Sequence, residues 1–182
     1  SPADAPLPTA RAAPISFNQI TPGVTTMAEL QSQWGAPART VDVDAGRIMI
    51  YRAPGFLQVD AFTDTAGEVV KSILVHLTEP SPVGDVEDHL QLTGLRVVEI
   101  DDGADNDLGR GYPERGVLLS YVAETNGQQI SHVSLEPIGG ELYRLRAEQQ
   151  DHLRYSDSLA DLEQATELND QDAKAFWLQA EL

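Results

Sequence analysis

The sequence predicts an α+β fold in which two tandem units, each a helix followed by an antiparallel meander, precede a C-terminal helical hairpin. Three observations support this: a capped amphipathic helix followed by alternating strands, a recurrence of the strand pattern, and helical spacing near the end of the chain. We divide the 182 residues into a Pro/Ala-rich linker (1–16), a duplicated α+β domain (17–138, with units at about 17–80 and 81–138) and a helical segment (139–182).

The linker predicts the location of the protein. Its first fourteen residues contain four prolines and five alanines, a composition that cannot build a core and is typical of a tether. Such a tether fits the segment behind a removed signal peptide or a lipid-anchored cysteine upstream of Ser1. We therefore expect an extracytoplasmic protein, periplasmic or secreted. The sequence has no run of about 18 apolar residues, so we expect no direct membrane insertion.

The charge balance narrows the choice of partners. Acidic residues outnumber basic ones by 29 to 12, which gives a net charge of −17. A nucleic-acid partner requires lysine or arginine to displace phosphate counterions, and the sequence has no basic run. We expect a protein or peptide partner and no nucleic acid.

The first unit begins with a helix over part of residues 20–37. Thr25 or Thr26 can cap it, and Glu29 is close enough to complete a capping box. Gly35 is expected to end the helix. One apolar stripe at helical spacing consists of Met27, Leu30 and Trp34.

The strands follow this helix and then recur. Residues 39–77 contain four alternating or β-branched segments, the last two joined by a turn that ends at Gly67. The segments 55–80 and 116–137 share a starting glycine, a strand, a glycine-containing turn and a second strand ending in Glu-Pro. A helix at 83–94 and a strand at 95–101 complete a second unit.

The opening helix carries a resemblance to a known family. ITPGVTTMAELQSQWGAP (20–37) resembles the first helix of the BamE/SmpA-type outer-membrane assembly lipoproteins, and two tandem units over 17–138 resemble the β-lactamase inhibitor protein fold. The second copy lacks the Gly-x-Pro ending. The resemblance implies a secreted or periplasmic module whose sheet and loops bind another protein. No inhibitory loop residue can be carried over.

The C-terminal segment resembles a tetratricopeptide repeat (TPR). The matching positions are Tyr155, Ser158, Leu162, Ala165, Leu168, Phe176 and Ala180, and a preceding helix over 141–153 would turn Leu142, Leu145 and Ala147 inwards. Ser158 stands where alanine is usual and Asp170 where proline is usual. A single repeat cannot bury its apolar face, so we expect either a longer array or docking on the sheet, and favour the array. The resemblance implies a peptide ligand.

The sequence contains no recognisable catalytic motif. Its histidines, His76, His89, His132 and His152, are scattered, and no nucleophile elbow, zinc-binding helix or phosphate-binding loop occurs. We therefore predict no enzyme activity and no cofactor. A hydrolase of unfamiliar type is an alternative that would need a cleft joining two or more of His76, His89 and His132 with nearby carboxylates.

The acidic segment 101–111 is the best candidate for a metal site. Carboxylates with interspersed glycines offer hard oxygen ligands to Ca²⁺, although the spacing is not that of an EF-hand. The candidate ligands are Asp101, Asp102, Asp105 and Asp107. The alternative is a solvated connection between strands.

The predicted function is a non-catalytic, extracytoplasmic protein–protein interaction module. Aromatic and charged residue types that are enriched at interfaces occur in two corresponding loops, and we expect partner contacts from Tyr51, Arg52, Phe56, Tyr112, Glu114 and Arg115. The alternatives are an envelope-assembly lipoprotein of BamE type and a calcium-dependent binding module.

Overall fold

A computed structural model describes residues 10–104, 106–123, 125–126, 128–149 and 155–181. Within these residues the chain forms one antiparallel sheet of eight strands and five α-helices. In the first half the elements are α1 (Met27–Trp34), β1 (Arg39–Val43), β2 (Gly46–Tyr51), β3 (Phe56–Asp64) and β4 (Ser72–Pro82). They are followed by α2 (Val83–His89), β5 (Val98–Asp101), β6 (Asp107–Tyr112), β7 (Val117–Tyr121), β8 (Gln129–Leu135), α3 (Gly140–Gln149), α4 (Tyr155–Leu168) and α5 (Ala173–Glu181).

The sheet corrects the prediction of tandem units. Its strand order is β1-β2-β3-β4-β8-β7-β6-β5, so β4 pairs directly with β8 and the described strands form one continuous sheet. The prediction was wrong because each separate meander would leave a row of unpaired backbone groups at its last strand. Pairing β4 with β8 satisfies these groups and places residues from both halves of the chain in one hydrophobic core.

The main core lies on one face of the sheet, beneath α1 and α2. Strand residues alternate between faces, so Val59 and Ala61 of β3 are fully buried whereas their sequence neighbours are half exposed. Leu30 of α1 and Val86 of α2 pack into the same cluster. The two helices therefore cover the same side of the sheet.

The local signals at α1 are confirmed. Thr26 is the N-cap residue, its side chain accepts from the Glu29 backbone N–H at 3.2 Å, and the Glu29 carboxylate accepts from the Thr26 N–H at 2.7 Å. These two bonds form the expected capping box. Gly35 is the C-cap residue, with a φ of 72° that favours glycine.

Strand β6 was not predicted, because its two glycines and acidic start have the composition of a loop. The glycines are required by close packing: a Cβ atom on Gly109 would lie 2.1 Å from the Leu119 carbonyl oxygen of β7. The connection between β5 and β6 is therefore shorter than the acidic segment that the sequence indicated.

The C-terminal helices correct the TPR prediction. In α3 the buried residues are Gly140, Tyr143 and Arg146, and not the stripe of Leu142, Leu145 and Ala147. Ser158, Leu162 and Ala165 are buried, but Tyr155, Leu168 and Phe176 are 50%, 45% and 47% exposed, and Ala180 is exposed too. On the inward faces of these helices, Arg146 of α3 bonds Glu114 in the β6–β7 turn, and Asp161 of α4 accepts from Arg96 before β5. The helices therefore dock on the sheet domain and do not form a TPR-like hairpin.

Candidate functional site

The face of the sheet opposite α1 and α2, here the open face, is one candidate surface. The cross-strand pairs Val41–Ile48–Phe62 and Ile50–Asp60–Leu74 place side chains of β1 to β4 in two rows on this face. These residues are half exposed, and most of them are apolar. The open face over β1 to β4 is therefore an apolar surface in partial contact with solvent.

At the other end of the sheet, α3 covers the same face. A Cβ atom on Gly111 of β6 would lie 3.3 Å from the nearest Leu142 side-chain carbon of α3. Val98 of β5, which pairs with Gly111, is fully buried. The accessible part of the open face is thus its β1–β4 half.

A polar cluster lies beside this apolar half and is called the histidine cluster, comprising Gln58, Asp60, His76, His132 and Ser131. Gln58 Nε2 donates to Asp60 Oδ1 at 2.6 Å, and His76 Nε2 lies 2.8 Å from Asp60 Oδ2. The rings of His76 and His132 meet edge to face at 4.6 Å between centroids. Ser131 Oγ lies 2.7 Å from His132 Nδ1. The structure thus brings together two histidines that the sequence showed only as scattered residues.

The histidine cluster can hold a proton but does not form a continuous catalytic relay. Partial burial and the neighbouring His76 both lower the pKa of His132, and Asp60 opposes this. The carboxylate contacts His76, whereas the hydroxyl contacts His132, and the two rings touch without a hydrogen bond between them. A nucleophile–base–acid chain requires the hydroxyl contact and the carboxylate contact to be made by the two nitrogens of one imidazole.

A cavity of about 550 Å³, here the α1 cavity, lies on the opposite face between α1 and strands β1 to β3. Its apolar lining includes Met27 and Met49, and Tyr51 lines it as well. The polar lining residues include Gln31, Thr40, Asp42, Arg47, Thr63 and Asp64. This volume is within the range of sites that hold a small molecule or a side chain.

Tyr51 carries an unusual feature in this cavity. The residue is 6% exposed, and its hydroxyl has no hydrogen-bond partner among the described residues. Its ring packs edge to face on Trp34 at 5.1 Å, and burial raises the pKa of the phenol, so the hydroxyl stays neutral. This hydroxyl is shielded from the solvent that reaches the cavity, and buried hydroxyls of this kind are bonded to protein groups or to ordered water.

A second cavity, of about 390 Å³, lies between α2 and the segment around Phe17. Its lining is predominantly apolar, with Asp85 and His89 as its ionisable residues. His89 is exposed on α2 and lies apart from the histidine cluster, whereas His152 is outside the described residues.

The predicted partner-binding residues are dispersed. Tyr112 is fully buried and donates its hydroxyl to Glu87, and Glu114 is 2% exposed, so both lie in the interior and not on a contact surface. Tyr51 is also buried, and Phe56 is half buried in an aromatic contact with Phe17. Arg52 is exposed, whereas Arg115 is half buried and donates to the Arg11 carbonyl.

Glu114 belongs to a buried ion cluster of Glu114, Arg146, Asp161 and Arg96. Arg146 Nη2 donates to Glu114 Oε1 at 2.6 Å and to Asp161 Oδ1 at 2.8 Å. Arg96 Nη2 donates to the same Asp161 oxygen at 2.9 Å. The cluster joins the β6–β7 turn, α3, α4 and the segment before β5, so its role is to hold the helices on the sheet domain.

Two of the predicted calcium ligands accept hydrogen bonds from backbone N–H groups of their own loop. Asp101 Oδ1 accepts from the Gly103 N–H, and Asp102 Oδ1 accepts from the Ala104 N–H, both at 2.8 Å. Hydrogen bonds from the Asn106 side chain and the Ala104 backbone lower the pKa of Asp102. Asp107 starts β6, and Asp105 lies outside the described residues. Across the described part of the chain, no group of three or more potential ligand side chains is placed to hold a metal ion.

Comparisons with known proteins show remote similarities. No family model and no curated protein matches the chain. A DUF4309 family protein (YjgB) from Bacillus subtilis is similar in structure, with a TM-score of 0.45, 19% identity, and coverage of 69% of this chain and 86% of that one. An extracellular protein containing a SCP domain from Bacillus anthracis has a TM-score of 0.40 and 10% identity, covering 79% and 53% of the two chains.

A cysteine-rich secretory protein from Staphylococcus aureus has a TM-score of 0.38 and 12% identity, covering 82% of this chain and 57% of that one. The two last-named proteins are extracellular or secretory by description. Within the described residues of the present chain, no helix has both the length and the apolar character needed to cross a membrane.

Proposed function

We propose that this protein is a non-catalytic, extracytoplasmic module that binds another polypeptide through the β1–β4 half of its open face. The observation that carries this proposal is the set of half-exposed apolar side chains on that face: Val41, Ile48, Ile50, Phe62 and Leu74. Covering exposed apolar surface with a partner removes it from water, which is favourable by about 25 cal/mol per Å² of apolar area. The Pro/Ala-rich start of the chain supports the extracytoplasmic location.

Charge defines the kind of partner. The net charge of −17 repels acidic proteins and accelerates encounter with basic ones. Asp60 lies among the apolar residues of the open face, but its carboxylate is already bonded to Gln58 and His76, so the attraction comes from the charge of the whole molecule. The partner expected from this surface is a basic polypeptide with an apolar contact region.

Site-specific photo-crosslinking tests this proposal. A benzophenone amino acid replaces Phe62 on the open face, or Val24, which is 68% exposed in the turn before α1, as the matched control. Each protein is exposed to envelope and secreted proteins of its own organism. We expect a defined crosslinked polypeptide from position 62 and none from position 24.

The captured polypeptide is then purified and titrated against the uncrosslinked protein. We expect Phe62→Asp to weaken binding at least about tenfold, because a carboxylate cannot be desolvated against an apolar surface, and added salt to weaken it further. Equal crosslinking from both positions, or unchanged affinity of the Phe62→Asp variant, would show that the open face is not the binding surface.

A further inference from the structure

A third cavity, of about 180 Å³ and here called the aromatic cavity, lies where α1 ends beside the connection between β2 and β3. Aromatic side chains form much of its wall, and three of its lining residues are Phe17, Trp34 and Tyr51. The Trp34 ring meets Phe17 edge to face at 5.8 Å and Tyr51 at 5.1 Å between centroids, so the three rings hold one another in place. Because an apolar cavity of about 150 Å³ can hold benzene, the aromatic cavity has room for one six-membered ring.

A strained turn fixes one wall of the aromatic cavity. Phe17 and Ile20 exchange both backbone N–H···O hydrogen bonds at 2.9 Å. The two residues between them, Asn18 and Gln19, have φ values of 44° and 69°, in the left-handed region that favours glycine. The Asn18 carbonyl accepts from Trp34 Nε1 at 3.1 Å, so the turn also sets the position of the Trp34 ring. The wall is therefore in place before a ligand arrives.

The polar side chains at the mouth of this cavity are hydrogen-bond donors. Arg52 is exposed and lines the cavity, and its guanidinium forms no hydrogen bond or ion pair with any residue that the structure describes. Asn18 is a second exposed lining residue, and its side-chain amide is likewise unengaged within the described residues. Although the chain has 29 acidic residues, none of the described residues that line this cavity is acidic. A carboxylate would complement Arg52, because a guanidinium can bind it through two parallel hydrogen bonds.

We propose that the aromatic cavity binds an aromatic carboxylate, whose ring enters the space lined by Phe17, Trp34 and Tyr51 and whose carboxylate is held by Arg52. The groups that select this ligand are accessible: a ring-lined interior and a cationic donor on an exposed side chain. The cavity lies on the α1 side of the sheet, so the site is separate from the open face and does not depend on the proposed function.

Tryptophan fluorescence of the full chain tests this proposal. Trp34 lines the cavity, whereas the second tryptophan, Trp177, lies on α5, so Trp177→Phe leaves a single reporter in the cavity wall. The probes are benzoate, benzyl alcohol and benzylamine, which share a ring and are negative, neutral and positive. We expect benzoate to saturate the signal with a Kd of about 1 mM or lower. Benzyl alcohol should bind about tenfold more weakly, and benzylamine more weakly still.

Two pairs of variants in the Trp177→Phe background locate the site. Arg52→Gln should weaken benzoate about tenfold and leave benzyl alcohol unchanged, whereas Arg39→Gln, at an exposed arginine outside the cavity lining, should change neither. Ala53→Leu fills the cavity from its lining and should abolish binding of all three probes, whereas Ala36→Leu, exposed and outside the lining, should not. Because Arg52 has no side-chain partner among the described residues, Arg52→Gln should leave the Tm unchanged, which separates lost binding from lost structure.

A peptide that ends in phenylalanine, with its terminal carboxylate free or amidated, distinguishes two sources of the same chemistry. Tighter binding of the free-ended peptide than of benzoate, lost on amidation, identifies the end of a polypeptide as the ligand, whereas tighter binding of benzoate identifies a free acid. The proposal is overturned if neither benzoate nor the free-ended peptide gives a saturable signal, or if benzylamine binds as tightly as benzoate. Equal weakening of benzoate by Arg52→Gln and Arg39→Gln would overturn it as well.

Discussion

Arg146 shows how a single side chain can determine the packing of an element. Only 2% of its side chain is exposed, and its hydrogen bonds go to the carboxylates of Glu114 and Asp161, whose side chains are 3% and 0% exposed. A charge removed from water is tolerated when it is fully paired, and removing one partner leaves an uncompensated charge in the interior. Arg146 therefore stabilises the fold by neutralising the buried carboxylates of Glu114 and Asp161.

Substitution of Arg146 measures this dependence. In Arg146→Met, Glu114 and Asp161 lose their principal cationic partner, and we expect a loss of about 3–5 kcal/mol in the free energy of unfolding. Arg47→Met is the matched control, because the Arg47–Asp42 pair is 56% and 76% exposed and should cost less than about 1 kcal/mol. Urea denaturation of both variants gives the comparison. Equal losses would contradict a special role for the buried cluster.

His132 is expected to make the stability of the folded protein depend on pH. Its folded pKa lies below the ordinary value of 6.5, because of burial and the nearby His76, so the unfolded chain binds a proton more readily than the folded one. Stability should therefore fall as the pH decreases below about 6.5 and continue to fall until the folded pKa is reached. His132→Gln should flatten this part of the stability curve.

The measurement is urea denaturation at a series of pH values between about 5 and 8, the range in which histidine titrates. His89→Gln is the control, because His89 is exposed on α2. If the His89→Gln variant flattens the curve as much as His132→Gln does, the histidine cluster is not the source of the pH dependence.

At the scale of elements, the start of α1 is stabilised by hydrogen bonds between residues that are close together in the sequence. The Thr26 side chain satisfies a backbone N–H of the first turn, and replacing it with alanine should reduce stability by about 1 kcal/mol. Thr65→Ala, in an exposed turn, should change stability by less than about 0.5 kcal/mol. Thermal unfolding distinguishes the two, and similar losses would show that the cap does not stabilise the helix.

The elements also show what could be predicted from sequence. The capping box at Thr26 and the alternating strand β3 were predictable because their signals are local. The faces of α3 and α4 were not, since they bury Arg146 and Asp161, residue types that a periodicity argument assigns to solvent. Their partner Glu114 lies 32 residues before Arg146, so only the tertiary structure brings them together.

The candidate site was less predictable than the fold elements. The pairing of β4 with β8 places His76 opposite His132, and no local pattern determines that pairing. Tyr51 was predicted as a contact residue by its type, and the structure buries it in the lining of the α1 cavity. The signal that distinguishes it, a hydroxyl without a partner among the described residues, exists only in the folded chain.

At the scale of the whole molecule, the sheet and the C-terminal helices are predicted to unfold as one cooperative unit. The ion cluster connects α3 and α4 to the β6–β7 turn, and Gln149 of α3 bonds the backbone of β5. Opening the helices alone would expose the charges of this cluster and the fully buried Val98, so partial opening should cost nearly as much as global unfolding.

Native-state hydrogen exchange in increasing denaturant tests this cooperativity. In the unmodified protein, amides in α4 and β8 should converge on the same free energy of opening. In Glu114→Gln, which weakens the connection but retains the shape of the side chain, α4 should open at a lower free energy than β8, because Arg146 loses a charged partner. If α4 already opens well below β8 in the unmodified protein, the helices form an independent unit and the ion cluster does not couple them to the sheet.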